Sequence, residues 1–355
     1  MERPRLKTTT EVFSSPGGDI CLLRPSGDSD LVLEGAGERG HELVGRLDGR
    51  TALHELAAEF GAATVDELLE LLASEGLVED AATYDSLSAD ELGRYDRQLR
   101  YFADVAPDGV SAPDCQLRLR EARVLVLGVG GLGSWAALSL ACCGVGELTL
   151  VDGDAVEVSN LNRQVLFAAD DIGRPKAGVA AAALRRFNPG IRVESVERTL
   201  ATPDAIGEAV RGSSFVVDAA DRPAHDIERW VNAACFEHGV PYITMSHFPP
   251  FARVGPLYVP GETGCFNCQE HAYRRSYELY DHIIEQRRGS PSPAATLGPL
   301  CAFVGGQVAL DVVHELTGLC RPASKGAVRV FDTRTLAVTD ERVPRDPDCE
   351  VCGAM

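Results

Sequence analysis

Three glycines, Gly128-x-Gly130-x-x-Gly133, stand between a short apolar run and a helix-like stretch, and Asp152 lies at the end of the next apolar run. Glycines at this spacing permit a tight turn and bring backbone N–H groups close to a phosphate, while the later acid suits a ribose hydroxyl. Alone, the pattern fits a nicotinamide dinucleotide. Asn160, Arg163 and Lys176, which follow closely, point to a different nucleotide. Hydride transfer needs no cations beside the glycine turn. Attack at a phosphate does, because charge grows on the phosphoryl oxygens and pyrophosphate must leave. The residues therefore favour ATP over NAD. Asp218 and Asp221 end a later apolar run, where a carboxylate can hold Mg2+ against those phosphates. A single Asp at such a place is more often a helix cap, and a single Arg or Lys a solvated surface residue. The functional reading rests on their convergence at one edge of the expected sheet.

A second constellation is sulfur-based. Cys265-x-x-Cys268 and Cys349-x-x-Cys352 account for four of the eleven cysteines. Without a secretory signal the thiols are expected to stay reduced, and paired CxxC spacing then favours metal over disulfide. Four thiolates form the closed tetrahedral shell that structural Zn2+ prefers. Cys142 and Cys143, in an apolar helix-like stretch, read as core residues.

These residues need a scaffold that carries them to one place. Runs of β type at 124–127, 147–151, 191–196, 214–218 and 241–245 alternate with helix-like KAGVAAAALRRF and DIERWVNAACFEHG. The alternation predicts an α/β fold, a Rossmann-like, mostly parallel sheet with helices on both faces and the nucleotide at the carboxyl ends of its strands. From 251 onward follow β-like ARVGPLYVP, the first CxxC, a polar segment at 269–296, a helix around FVGGQVALDVVHEL and a late pair of β-runs. The polar segment reads as a loop, either a cover over a substrate or simply solvated.

Residues 1–85 read as a separate small α+β, winged-helix-like domain, and 86–353 as the catalytic domain. Two β-runs, near DICLLRP and SDLVLEG, precede helix-like GHELVGRLDG, TALHELAAEFG and TVDELLELLASEG. The last opens with Thr64-x-x-Glu67, close to a capping box. The formal net charge of −19 opposes binding to nucleic acid and to anionic membranes. The small domain is itself acidic, so a peptide suits it better than DNA. No basic-then-apolar N-terminal segment and no bilayer-length apolar stretch stand out, so a cytoplasmic protein is expected.

The ordered motifs RYDRQ, GVGGLG, VDGDAVEVSNLNRQ, GRPKA and DAAD, with the two CxxC pairs, closely resemble those of the ThiF/MoeB adenylyltransferases, the superfamily that includes ubiquitin-activating enzymes, over roughly residues 91–353. The resemblance implies that Gly128, Gly130, Gly131, Gly133, Asp152 and Asp154 bind ATP, with Asp152 on the ribose. It implies that Asn160, Arg163 and Lys176 serve the phosphates and that Asp221 holds Mg2+. Arg97 would reach the phosphates from a partner subunit, making a homodimer, and the four cysteines would bind Zn2+. Arg222 departs from the Asn common in the family after the metal-holding Asp.

The small domain resembles, at the level of element order, the PqqD-like leader-recognition element of enzymes that modify ribosomally made peptides. There a precursor strand adds to the edge of a sheet. Together the two resemblances imply ATP-dependent adenylation of a carboxylate on a precursor peptide, in the peptide-modifying branch. The alternatives are a non-catalytic leader-binding partner of a cyclodehydratase, a sulfur-carrier-activating adenylyltransferase, and an NAD oxidoreductase. The retained cations weigh against the first and last, and the small domain against the second.

Overall fold

Apolar side chains at helical spacing supply the N-terminal core: Val65, Leu69 and Leu72 lie on one face of a helix and pack with Ile20, Leu22, Leu43 and Leu56. The computed structural model describes residues 1–23, 30–107, 109–289 and 295–354. It divides into two compact units, Met1–Leu117 and Arg118–Met355. The first contains strands β1 (Pro4–Leu6), β2 (Glu11–Ser14), β3 (Ile20–Leu23) and β4 (Leu31–Leu33), then helices α1 (Gly37–Gly45), α2 (Leu53–Phe60) and α3 (Ala62–Ser74), and strand β5 (Val78–Asp80). Strands β2, β3 and β4 form an antiparallel sheet in that order, and β1 pairs with β5.

One reading of this unit is corrected. Thr64 and Glu67 do not cap α3: the helix begins at Ala62 behind Gly61, whose φ of 93° makes the turn out of α2. The compact unit ends at Leu117. It takes in helices α4 (Ala89–Arg94) and α5 (Asp96–Val105) and most of α6 (Ala112–Glu121), so RYDRQ belongs to it. Leu99, Phe102 and Cys115 in this segment are buried.

The second unit is built on an eight-stranded sheet of order β13-β12-β11-β10-β9-β6-β7-β8. In chain order its elements are β6 (Arg123–Leu127), α7 (Gly131–Cys143), β7 (Glu147–Val151), α8 (Lys176–Phe187), β8 (Arg192–Val196), α9 (Pro203–Val210), β9 (Phe215–Asp218), α10 (Asp226–His238) and β10 (Tyr242–Phe248). There follow β11 (Phe251–Tyr258), α11 (Phe266–Ser276), α12 (Tyr280–Gly289), α13 (Gly298–Thr317), β12 (Ala327–Asp332) and β13 (Val338–Arg342). Strands β8, β7, β6, β9 and β10 run parallel, and β10 to β13 are antiparallel. Helices α7, α8 and α13 pack together, as do α9 and α10. The result is the expected mostly parallel α/β fold, extended by an antiparallel half.

Three further expectations fail here. The polar segment 269–296 is not a loop, since α11 and α12 occupy most of it; residues 290–294, with the Ser/Pro repeat, lie outside the described residues. Its charged residues had hidden the helices: Arg274 and Arg275 sit in the last turn of α11, where cations complement the helix dipole. Helix α13 has the length and apolarity to cross a bilayer, but 56% of that stretch is buried within the fold, much of it against α7. Cys142 is exposed and Cys143 half-buried, so the pair is not core. Helix α7 is apolar on nearly every side, and its sequence therefore does not reveal which side faces outward.

Candidate active site

The parallel strands β6, β7 and β9 end side by side, and each delivers candidate residues from its carboxyl end. After β6, Gly128 takes a φ of 83°, a left-handed conformation open to glycine. A Cβ on Gly128 would collide with the Ala219 carbonyl, and one on Gly133 would overlap the Gly128 carbonyl. These absent side chains let α7 start directly against the turn and let the segment after β9 lie on it.

After β7, Asp152 braces the same turn. Its Oδ2 accepts a hydrogen bond from the Val129 N–H at 2.8 Å, and its Oδ1 accepts one from the Asp154 N–H at 2.9 Å. Burial raises the Asp152 pKa; those two N–H donors and then the Lys176 charge oppose the rise. The chain then doubles back: Ala155 bridges Pro175, and the Lys176 N–H donates to the Asp154 carbonyl at 2.9 Å. This brings the buried Lys176 ammonium to 2.9 Å from Asp154 Oδ2.

Asn160 is buried, and its Oδ1 accepts the Glu157 N–H at 2.9 Å, so it shapes the turn that presents Arg163. Arg163 Nη1 donates to the Ser159 carbonyl at 2.5 Å and to Asn162 Oδ1 at 3.1 Å. Its backbone carbonyl accepts the Trp135 indole N–H at 3.0 Å, tying it to α7. An ideal Cβ on Gly131 would lie 3.4 Å from Arg163 Cδ, so the side chain crosses the glycine turn. Asp221 is exposed just beyond the Gly128 contact, whereas Asp218 is buried and its pKa is raised to about 8 by burial and then by Glu228. Of the two acids after β9, Asp221 is the one free to meet a solvated cation.

The structure thus brings together Gly128, Gly130, Gly131, Gly133, Asp152, Asp154, Asn160, Arg163 and Lys176, and Asp221 lies two residues beyond Ala219, which packs against Gly128. Arg97 belongs to the first compact unit, on α5, with a side chain 88% exposed and 3.6 Å from Asp96.

Some neighbours escaped sequence reasoning. Cys301, at the start of α13, would lie 3.0 Å from a Gly131 Cβ, and the Thr296 hydroxyl is 3.3 Å from its sulfur. Burial raises the Cys301 thiol pKa against the opposing pull of Thr296 and Arg163. Burial, and then the Arg163 charge, lowers the His247 pKa. Gln164 Oε1 is buried with no hydrogen-bond partner among the described residues. Cys301 and His247 lie far along the chain from the glycine motif, and no local pattern marks them.

The four CxxC sulfurs form a separate centre, all within 4.8 Å of one another and all buried. Their separations include 3.9 Å for Cys265 to Cys268, 3.5 Å for Cys265 to Cys349 and 3.3 Å for Cys268 to Cys352. A tetrahedral zinc with Zn–S bonds of about 2.3 Å needs sulfurs about 3.8 Å apart, so the donor set and spacing fit that ion. The Asp346 N–H points at Cys268 Sγ from 3.3 Å, and Cys268 is held below its ordinary thiol pKa by this and other hydrogen bonds despite burial.

A sequence model of the ThiF family matches residues 95–351. The sulfur carrier protein ThiS adenylyltransferase of Escherichia coli is 36% identical over 73% of this chain and 94% of its own length. The molybdopterin-synthase adenylyltransferase of Salmonella typhimurium is 33% identical over 75% of this chain and 98% of its own length. Among solved structures, E. coli MccB with AMPCPP and MccA superposes with a TM-score of 0.76 at 25% identity, covering 99% of this chain and 100% of that one.

Proposed function

The chain belongs to the ThiF family and is an ATP-dependent adenylyltransferase, and on that premise we propose that it activates a carboxylate of a ribosomally made precursor peptide. The observation that carries this reading is coverage. The carrier-activating relatives are matched almost end to end by about three quarters of this chain, leaving the N-terminal part without a counterpart. MccB, solved with MccA, covers 99% of it. Residues 1–85 then serve as the leader-binding, PqqD-like element, and β2, an edge strand with all four residues exposed, offers main-chain groups to an added strand.

In this reading the carboxylate attacks the α-phosphorus of ATP, forming an acyl adenylate and releasing pyrophosphate. Backbone N–H groups of the glycine turn cradle the phosphates, and Asp152 holds the ribose. Lys176 and Arg163 stabilise the charge that grows on the phosphoryl oxygens. Asp221 would hold Mg2+, which neutralises phosphate charge when bound. Arg97 contributes from a second copy in a homodimer. The acyl adenylate then passes to amide formation, cyclisation or another nucleophile. Zn2+ at the four cysteines is structural, and the cytoplasm is the expected site of action.

Greater identity to the ThiS adenylyltransferase, 36% against 25% for MccB, favours a second reading, activation of a sulfur-carrier protein. ATP–pyrophosphate exchange separates the two. Exchange driven by a short peptide encoded nearby supports the proposal; exchange driven only by a carrier protein overturns it.

A further inference from the structure

Glu270 lies on α11, two residues beyond Cys268, and its carboxylate is almost wholly buried, with 3% of the side chain exposed. It accepts hydrogen bonds from His225 Nε2 at 2.9 Å, from Arg229 Nε and Nη2 at 2.9 Å each, and from the Tyr280 hydroxyl at 3.4 Å. Arg274 Nη2 stands 3.6 Å away. A buried ionic cluster of this kind is a weak source of stability, because desolvation consumes most of the attraction, but it holds its members in one arrangement.

What it holds is one end of the segment that carries Asp221. That segment leaves β9 pinned by the Ala219 N–H to the Leu127 carbonyl at 2.8 Å, beside the glycine turn. It ends at His225, which enters α10 with a φ of 68°, a left-handed conformation unfavourable for any residue with a Cβ. His225 is held by its hydrogen bond to Glu270 and by an edge-on contact with the Phe266 ring, which also belongs to α11. Helix α11 is in turn anchored by two of the four clustered cysteines and by Asn232 of α10, whose Oδ1 accepts the Phe266 N–H at 3.0 Å.

We propose that Glu270 is a positioning residue for the adenylation site: through His225 it fixes the 219–225 segment, and so sets where Asp221 presents its carboxylate to Mg2+. The proposal rests on the adenylation reading and on the place given there to Asp221. It assigns work to a buried carboxylate that neither the nucleotide site nor the cysteine centre requires.

The test uses the full-length protein and three variants. His225→Gly accepts the left-handed backbone but removes the imidazole; His225→Asn tolerates the same backbone and retains a donor; Glu270→Gln keeps the shape and loses the charge. Nucleotide binding is titrated with Mg2+ at fixed ATP, melting temperature is recorded, and amide hydrogen exchange is followed across 219–226. In His225→Gly and Glu270→Gln, the Mg2+ concentration for half-saturation should rise about five- to tenfold, with faster exchange confined to that segment, and His225→Asn should recover part of both. Unchanged Mg2+ dependence and unchanged exchange in His225→Gly overturn the proposal and leave the adenylation reading standing. Failure of wild-type protein to bind ATP with Mg2+ overturns that reading, and this proposal with it.

Discussion

Lys176 Nζ lies 2.9 Å from Asp154 Oδ2, although the lysine side chain is 9% exposed and that of the aspartate 72%. The ammonium is therefore held from behind by the fold, with its charge delivered to the edge where β6, β7 and β9 end. In the proposed adenylation site, a phosphate would displace this solvent-exposed carboxylate from Lys176.

Replacing Lys176 by Met should accordingly lower peptide-dependent ATP–pyrophosphate exchange by about 10²–10³-fold, the usual loss for one charge-stabilising group. Its long apolar side chain fills the same space, so the melting temperature should change little. Exchange within a few-fold of wild type would remove Lys176 from the phosphate site.

Two glycines two residues apart should respond differently to alanine. A Cβ at Gly131 meets movable groups, Cys301 Sγ at 3.0 Å and Arg163 Cδ at 3.4 Å. Gly131→Ala should therefore displace Arg163 and depress kcat for exchange about tenfold while the protein stays folded. Gly133→Ala drives its methyl into the Gly128 backbone carbonyl, which cannot yield without moving β6 or α7, and should destabilise by about 1–3 kcal/mol or more. Urea unfolding of both variants beside exchange kinetics tests the contrast.

Asp218 should make stability fall as pH rises. Burial and then Glu228 raise its pKa to about 8, against the N–H of Ala220. Between the ordinary value of about 3.9 and the raised one, the folded state keeps a proton that the unfolded state has lost. Its contribution to stability is complete below about 3.9 and gone above about 8. Asp218→Asn should gain on wild type steadily across that interval and then level off. Urea midpoints from pH 5 to 9 report the difference; a constant gap between the two proteins would contradict the raised pKa.

Protein purified without chelator should contain about one zinc per chain, as a closed four-thiolate shell implies. Cys268→Ser or Cys352→Ser should lower both the zinc content and the melting temperature, because binding energy at such a site is folding energy. Loss of zinc without any change in melting temperature would make the centre incidental to the fold.

Periodicity and glycine spacing were enough to foresee the parallel strands at 147–151 and 214–218 and the helix beginning at Lys176, because residues buried on both faces form unbroken apolar runs. Gly128 and Asp152 directly follow the ends of β6 and β7, and parallel order sends those ends to one edge, whereas Arg163 and Lys176 lie 12 and 25 residues beyond β7 and reach that edge only through the fold of the intervening chain. The exposed strand β2 left no alternation to read, and α11 and α12 were masked by charge. Tertiary structure alone decided that Asp218 is a buried acid and Asp221 an exposed one, though the two lie three residues apart. It also placed Cys301 against Gly131 and closed Glu270 around His225. Both contacts join residues distant in the chain through the packing of α13, α11 and α10, and local sequence carries no trace of such meetings.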